Sequence, residues 1–172
     1  LQDGRLLLVG GDDGVAELDT TLFGEIVGDT ITWTAGTSYP TSIGKPTTIK
    51  YSNIAGSSKI LSVGGYDPFL GSDTVKCYQA NIVDGSTIID WLPSSDLPYV
   101  ESGYSIEILP TGHLILVGGE AGHILIGNIT DTDTIGNRQV SWIESETSYV
   151  YPARGDTCIV GNTLVMIDGN MG

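Results

Sequence analysis

The sequence predicts an all-β chain in which one structural unit recurs about three times, and three observations carry that prediction. The first is an apolar run ending in glycine: "GRLLLVGG" at 4–11, "SKILSVGG" at 58–65, "GHLILVGG" at 112–119 and the weaker "NTLVMIDG" at 162–169. The second is its spacing. The pairs Gly10–Gly11, Gly64–Gly65 and Gly118–Gly119 are separated by two equal steps of 54 residues, and Gly169 follows Gly119 by 50. The third is that Trp33, Trp91 and Trp142 recur in step with the glycines, each after a β-branched alternation ("DTITW", "STIIDW", "RQVSW"). No apolar period of 3.6 residues persists over a helical length, whereas Val, Ile, Thr and Tyr concentrate in the short runs.

Each period reads in the same order. The glycine-ended strand leads into an acidic turn ("DDG", "YDPFLGSD", "EAG") and then an alternating strand ("VAELD", "TVKCYQANI", "HILIGNI"). A polar loop and the Trp strand follow. A loop carrying Tyr and Pro comes next ("TSYPTSIGKP", "PSSDLPYVES", "ETSYVYPARG"), then another strand ("TTIKYS", "YSIEIL", "DTCIV") and a tight turn into the next doublet. The repeats are therefore expected at 4–57, 58–111 and 112–161, with a further doublet strand at 162–169, all within a single incomplete domain. Four short antiparallel strands per period describe a β-propeller blade, and a period of about 50 fits the kelch type better than the shorter WD type.

The glycine-doublet strand, the alternating strand after it, the Trp beyond and the Pro-containing loop together resemble the kelch repeat over nearly the whole chain. The junction "YPARGDTCIVGNTLVMIDG" stands closest to the family's Pro-Arg-Gly start. Asp168 replaces the first glycine of the last doublet, and the aromatic spacing is looser than the family's. The resemblance implies a kelch-like propeller of the kind also found in the galactose oxidase family.

Glycine normally weakens a strand, so doublets at fixed positions call for positive φ or close backbone approach; we expect structural roles for Gly10, Gly11, Gly64, Gly65, Gly118, Gly119 and Gly169. Trp33, Trp91 and Trp142 are expected to pack in the widening gap between neighbouring sheets. Counting strands, the chain starts and ends in a doublet strand and holds three blades' worth. A closed propeller needs roughly four to eight. The remaining blades are expected from the same polypeptide or another copy, since open faces and edges invite aggregation. The missing initiator Met suggests a processed or truncated start.

Seven Lys and Arg against 21 Asp and Glu give a formal charge of −14. Such a field repels phosphate backbones and anionic lipid, so nucleic acid is not an expected partner. The apolar runs are too short to span a bilayer, which predicts no membrane insertion. Cys77 and Cys158 both lie in apolar strand patterns and read as small buried hydrophobes rather than a disulfide framework. Asn128–Ile129–Thr130 forms a glycosylation sequon that matters only in a secreted eukaryotic chain.

The residues give little support to catalysis. His113 opens a doublet strand and His123 opens the strand after it, which places them towards opposite ends of a hairpin, unable to share a metal. The galactose oxidase resemblance would require a copper set of two His and two Tyr, one Tyr cross-linked to Cys, and that set is not present. No Ser-His-Asp or Cys-His spacing is evident. "DTD" at 131–133 and "DD" at 12–13 fall short of the six to eight oxygens of a calcium site. No cofactor and no metal is expected.

Up-and-down connectivity gathers two sets of loops on one face. Asp12, Asp13, Tyr66, Asp67 and Glu120 come from the turns after the doublet, and Tyr39, Tyr99, Tyr149 and Tyr151 from the loops after the Trp strands. Tyrosines beside carboxylates suit protein recognition or sugar stacking, and equally suit bracing each loop against its sheet. The expected function is a non-catalytic binding or assembly module, with a protein or glycan partner, in a larger extracellular or virion-surface protein. The Thr/Ser/Gly/Ile-rich, Lys-poor composition is compatible with that location. The alternatives are a fragment of a carbohydrate-active propeller enzyme whose catalytic residues lie elsewhere, and an intracellular adaptor.

Overall fold

The computed structural model describes residues 1, 3–52, 58–100, 102–119, 122–131, 138–145, 156–161 and 163–167. Among them there is no helix, and no sheet closes into a barrel. The first sheet holds β1 (Leu6–Val9), β2 (Thr21–Val27) and β3 (Thr30–Ala35). The second is a four-stranded meander of β4 (Thr47–Ser52), β5 (Ser58–Val63), β8 (Cys77–Ile82) and β9 (Asp90–Pro93), with a two-stranded excursion, β6 (Tyr66–Asp67) and β7 (Ser72–Asp73), inserted after β5. The third is a second four-stranded meander, β10 (Tyr104–Ile108), β11 (Leu114–Gly118), β12 (His123–Asp131) and β13 (Arg138–Glu144). A fourth sheet is represented by β14 (Asp156–Val160) and β15 (Thr163–Ile167).

Register turns the sequence repeat into a physical one. Leu6 pairs Gly24, which pairs Trp33; Ile60 pairs Ala80, which pairs Trp91; Leu114 pairs Gly127, which pairs Trp142. In each sheet the indole lies over the smallest residue of the middle strand. A Cβ on Gly24 would come within 2.8 Å of Trp33 Cζ3, and one on Gly127 within 2.7 Å of Trp142 Cζ3. Small residues at these places make room for the rings.

The doublet glycines are needed for both reasons expected of them. The first member closes the following loop through its N–H: Gly10 donates to Thr20 O at 2.8 Å and Gly64 to Lys76 O at 3.1 Å. Gly10 has φ +60° and a Cβ there would sit 2.7 Å from Ile43 O, so conformation and close approach both exclude a side chain. Gly169 and Asp168 lie outside the described residues.

Adjacent sheets bury two cores. One joins Phe23 and Leu7 of the first sheet to Ile60, Ala80, Ile82, Ile89 and Trp91 of the second. The larger one joins Tyr51, Leu61, Val63 and Cys77 of the second to Leu114, Leu116, Leu125 and Val140 of the third. The leading strands β4, β10 and β14 lie side by side. Thr47 Oγ1 donates to Tyr104 O at 2.6 Å, and Ser105 Oγ lies 2.6 Å from Thr157 Oγ1.

Three expectations need correction. The alternating segment "VAELD" is loop, not strand: Val15 is 93% exposed, and the strand runs at Thr21–Val27 instead. Asp13 accepts from Val15 N and Ala16 N, both at 2.9 Å, and curls this segment into a turn. Cys158 is exposed, because β14 turns it to an uncovered side of the fourth sheet, whereas Cys77 is buried as expected. Trp33 is packed on one side only and remains substantially exposed, while Trp91 and Trp142 are half-buried.

Candidate functional site

The loops expected on one face divide by role once their hydrogen bonds are traced. Asp12 and Asp13 bend their own loop, Asp12 accepting from Gly14 N and Asp13 from Val15 N and Ala16 N. These bonds hold the exposed Asp13 carboxyl below the ordinary carboxylate range, Ala16 N contributing most. Asp67 does the same for the β6–β7 tip, accepting from Phe69 N at 2.8 Å and Leu70 N at 3.2 Å. These three carboxylates shape turns before they can serve a ligand.

Tyr39 does not belong to a ligand face. It is 2% exposed, donates to Ser62 Oγ at 3.0 Å, and meets Trp91 and Tyr78 edge-on with centroids 4.9 and 5.2 Å apart. Burial raises its phenol far above the usual range. The cause is the path of its loop: Gly36 N and Tyr39 N bind Thr21 O and Asp19 O, which drives the side chain under the second sheet. Ser94 N and Leu97 N bind Cys77 O and Val75 O in the equivalent way, and Leu97 enters the core beside the third sheet.

Two places on the loop face do gather functional groups. Between the first and second sheets, Asp12, Glu17, Gly44, Lys45 and Tyr66 line a hollow of about 230 Å³. Tyr66 is held there by paired backbone bonds with Gly44 at 2.7 and 2.8 Å. Lys45 stands at φ +52°, a conformation disfavoured for a residue with a side chain.

The second place lies between the second and third sheets. The Tyr99 and His123 rings stack with centroids 4.0 Å apart and planes 3° from parallel. His123 Nδ1 donates to Glu144 Oε1 at 2.9 Å, and Tyr99 Oη donates to the other carboxylate oxygen, Oε2. Three elements supply the cluster: the loop before β10, the start of β12 and the end of β13. The Tyr99 bond, then the His123 bond, lowers the Glu144 pKa, and the same contact with Glu144 raises that of Tyr99. The carboxylate stays charged and the phenol protonated near neutrality.

Sequence reasoning found Tyr99 but missed His123 and Glu144 as its partners. They stand 21 residues apart and meet only because Leu125 pairs Glu144 across the β12–β13 hairpin. Glu120, Tyr149 and Tyr151 lie outside the described residues.

On the opposite side, a hollow of about 420 Å³ is lined by Asp3, Gly4, Arg5, Glu25, Ile26, Val27 and Gly85. Asp3 and Arg5 are ion-paired at 2.7 Å, and Asp3 also accepts from Gly85 N at 2.9 Å. Arg5 sits over the Phe23 ring, 4.7 Å from its centroid. These contacts tie the first residues to the second sheet and leave Arg5 neutralised.

His113 and His123 fall at opposite ends of the β11–β12 hairpin, as expected from Gly118 pairing His123. Among the described residues no group of three or more His, Cys, Asp and Glu is placed to hold a metal ion. Cys77 is buried, with burial pushing its thiol up to about 12. These donors do not fit a copper set of two His and two Tyr with a cross-linked Cys.

No protein-family model matches the chain, and no curated protein matches it. Among solved structures it is similar to a fungal alcohol oxidase with catalytic diversity among the AA5 family, in complex with copper. The two share 13% identity with a TM-score of 0.54, over 83% of this chain and 31% of that one. The chain thus spans about a third of that oxidase, and at this identity the likeness concerns the fold alone.

Proposed function

We propose that the chain is a segment of a kelch-type β-propeller whose loop face binds a hydroxyl-rich ligand of the glycan class without catalysing a reaction on it. Side-by-side leading strands, with the first sheet packed on the second and the second on the third, support a radial array, as does the fold likeness to the AA5 oxidase. In this reading further sheets complete the ring.

The Tyr99–His123–Glu144 cluster carries the binding proposal. It offers a charged carboxylate with lone pairs to spare, an imidazole and a phenol, fixed by their mutual bonds before a ligand arrives. Fixed donors and acceptors reduce the ordering cost of recognising paired hydroxyls. The face's acidity disfavours phosphorylated or sulfated ligands, which leaves neutral glycans.

Glycan-array binding of the parent, compared with Glu144→Gln and Tyr99→Ala, tests this. A loss of about tenfold or more in each variant is expected. Unchanged binding in both, with unchanged circular dichroism, removes the cluster from the site.

The AA5 likeness favours a second reading, in which the chain is a piece of a propeller oxidase whose catalytic groups lie in sheets outside it. The intact polypeptide discriminates: additional sheets bearing clustered His and Tyr on the loop face support the oxidase.

A further inference from the structure

The second sheet is packed by the first on one side and by the third on the other, yet its rim hairpin carries two large apolar side chains that belong to neither core. Phe69 is 82% exposed and Leu70 66%, next to each other at the tip of the β6–β7 hairpin. Single exposed apolar residues are common on any protein surface. An aromatic and an aliphatic residue set together on a projecting tip are not, and their exposure comes from the rim rather than from an uncovered flank of a sheet.

The tip is braced. Asp67 Oδ1 accepts from Phe69 N at 2.8 Å and Leu70 N at 3.2 Å, and Gly71 N, at a residue with φ +65°, donates to Asp67 O at 2.9 Å. Pro68 restricts φ at the entry to the turn. Below it Tyr66 pairs Asp73, Asp67 pairs Ser72, and Thr74 N donates to Gly65 O at 2.8 Å. A tip ordered before contact loses little conformational entropy when its side chains are covered.

The neighbouring rim loop presents a second apolar tip. The Asp12–Glu17 bridge closes a turn that carries Val15, 93% exposed. Glu17 and Tyr66 both approach Gly44, where a Cβ would lie 2.8 Å from Glu17 Cγ and 3.7 Å from Tyr66 Cβ. The two loops therefore border one hollow, that of Asp12, Glu17, Gly44, Lys45 and Tyr66. Asp12, Asp13 and Glu17 accompany Val15, and Asp67 and Asp73 accompany Phe69 and Leu70. Lys45 lies between the loops, and Lys76 at the base of the hairpin is paired with Asp96 at 2.7 Å, so carboxylates dominate the setting of both tips.

We propose that the two tips form a docking surface for a segment of a partner protein in which aliphatic side chains are interspersed with Lys or Arg. The aliphatic groups cover Phe69, Leu70 and Val15, and the cations meet the surrounding carboxylates. Charge complementarity selects this occupant. A second copy brings the same carboxylates, and the same formal charge of −14, against each other. An anionic lipid surface is repelled in the same way. A zwitterionic lipid surface covers the apolar side chains but supplies no net positive charge. The surface lies between the first and second sheets, apart from the Tyr99–His123–Glu144 cluster between the second and third, and needs no glycan bound there.

Surface plasmon resonance of the full chain over immobilised synthetic peptides of equal length, composed of Leu with Lys, Ser with Lys, or Leu with Glu, tests the proposal. The Leu/Lys peptides are expected to bind best, and less well as salt rises. The double variant Phe69→Ser, Leu70→Ser is expected to lower that affinity about tenfold or more, while its circular dichroism, urea midpoint and glycan-array profile stay those of the parent. Equal binding of the Ser/Lys peptides reduces the effect to charge and overturns the proposal. So does the absence of binding to the Leu/Lys peptides, or binding that survives the double substitution. Flotation with phosphatidylcholine vesicles that is lost in the double variant assigns the tip to a lipid surface and likewise overturns it.

Discussion

Leu114 and Leu6 occupy the same register position in two sheets, so truncating each to Ala asks one question in two environments. Leu114 lies at 0% exposure, against Gly127 and inside the larger core. Removing three carbons there loses about 2.4 kcal/mol of transfer free energy at about 0.8 per methylene. The hole is closed on all sides, and the cavity left behind raises the cost to about 3–4 kcal/mol. Leu6 already shows 38% of its surface to water, and its removal opens a dent rather than a cavity. Its cost is about 1–1.5 kcal/mol. With a urea slope of about 2 kcal/mol/M, Leu114→Ala should lower the midpoint by about 1.5–2 M and Leu6→Ala by about 0.5–0.8 M, at unchanged slope. Equal shifts at low micromolar concentration would refute the claim that these positions differ in cover, and a shift below about 0.5 M for Leu114→Ala would refute its place in the core.

Tyr39→Phe should cost about 1 kcal/mol by leaving Ser62 Oγ with only its 3.5 Å contact to Thr48, and Tyr39→Ala about 3–5 kcal/mol, both read by urea denaturation. Gly127→Ala forces a methyl within 2.7 Å of Trp142 and 3.1 Å of Leu114, so a loss of about 1–3 kcal/mol and altered tryptophan emission are expected. Asp3, with its pKa held far below the usual value first by its bond to Arg5, stabilises the fold fully above the ordinary carboxylate value near 4. That contribution fades as pH falls through the depressed folded-state pKa. Asp3→Asn should therefore be less stable than the parent at pH 7, and the gap should close only well below pH 4. A gap that is unchanged down to pH 2 would contradict this.

The glycine-ended strands and their partners were legible in the sequence because period, glycine and tryptophan all report the same backbone geometry. The turn "DDGVAELD" was misread because Val15, Ala16 and Leu18 mimic alternation, while the decisive information lay in Asp13 capping two backbone amides. Tyr39 looked like a loop residue and is one. Its burial follows from two backbone hydrogen bonds that steer the loop inward, and backbone bonds of that kind leave no mark on composition. The pairing of His123 with Glu144 needed the exact strand register, since a slip of one residue sends every side chain to the opposite side. Cys158 misled for a related reason: the strand pattern fixes which side a residue faces, but only a neighbouring sheet determines whether that side is dry.

The β6–β7 excursion shows how loosely the rim is coupled to the scaffold. It inserts a whole extra hairpin between β5 and β8, yet Val63 and Cys77 still pair as directly as if a short turn joined them. Because Gly64 N and Lys76 O clamp the loop at its base, its length and lettering can drift while the layers beneath keep their alignment. A chain built this way can change one rim loop with no compensating change in the packing that holds it up.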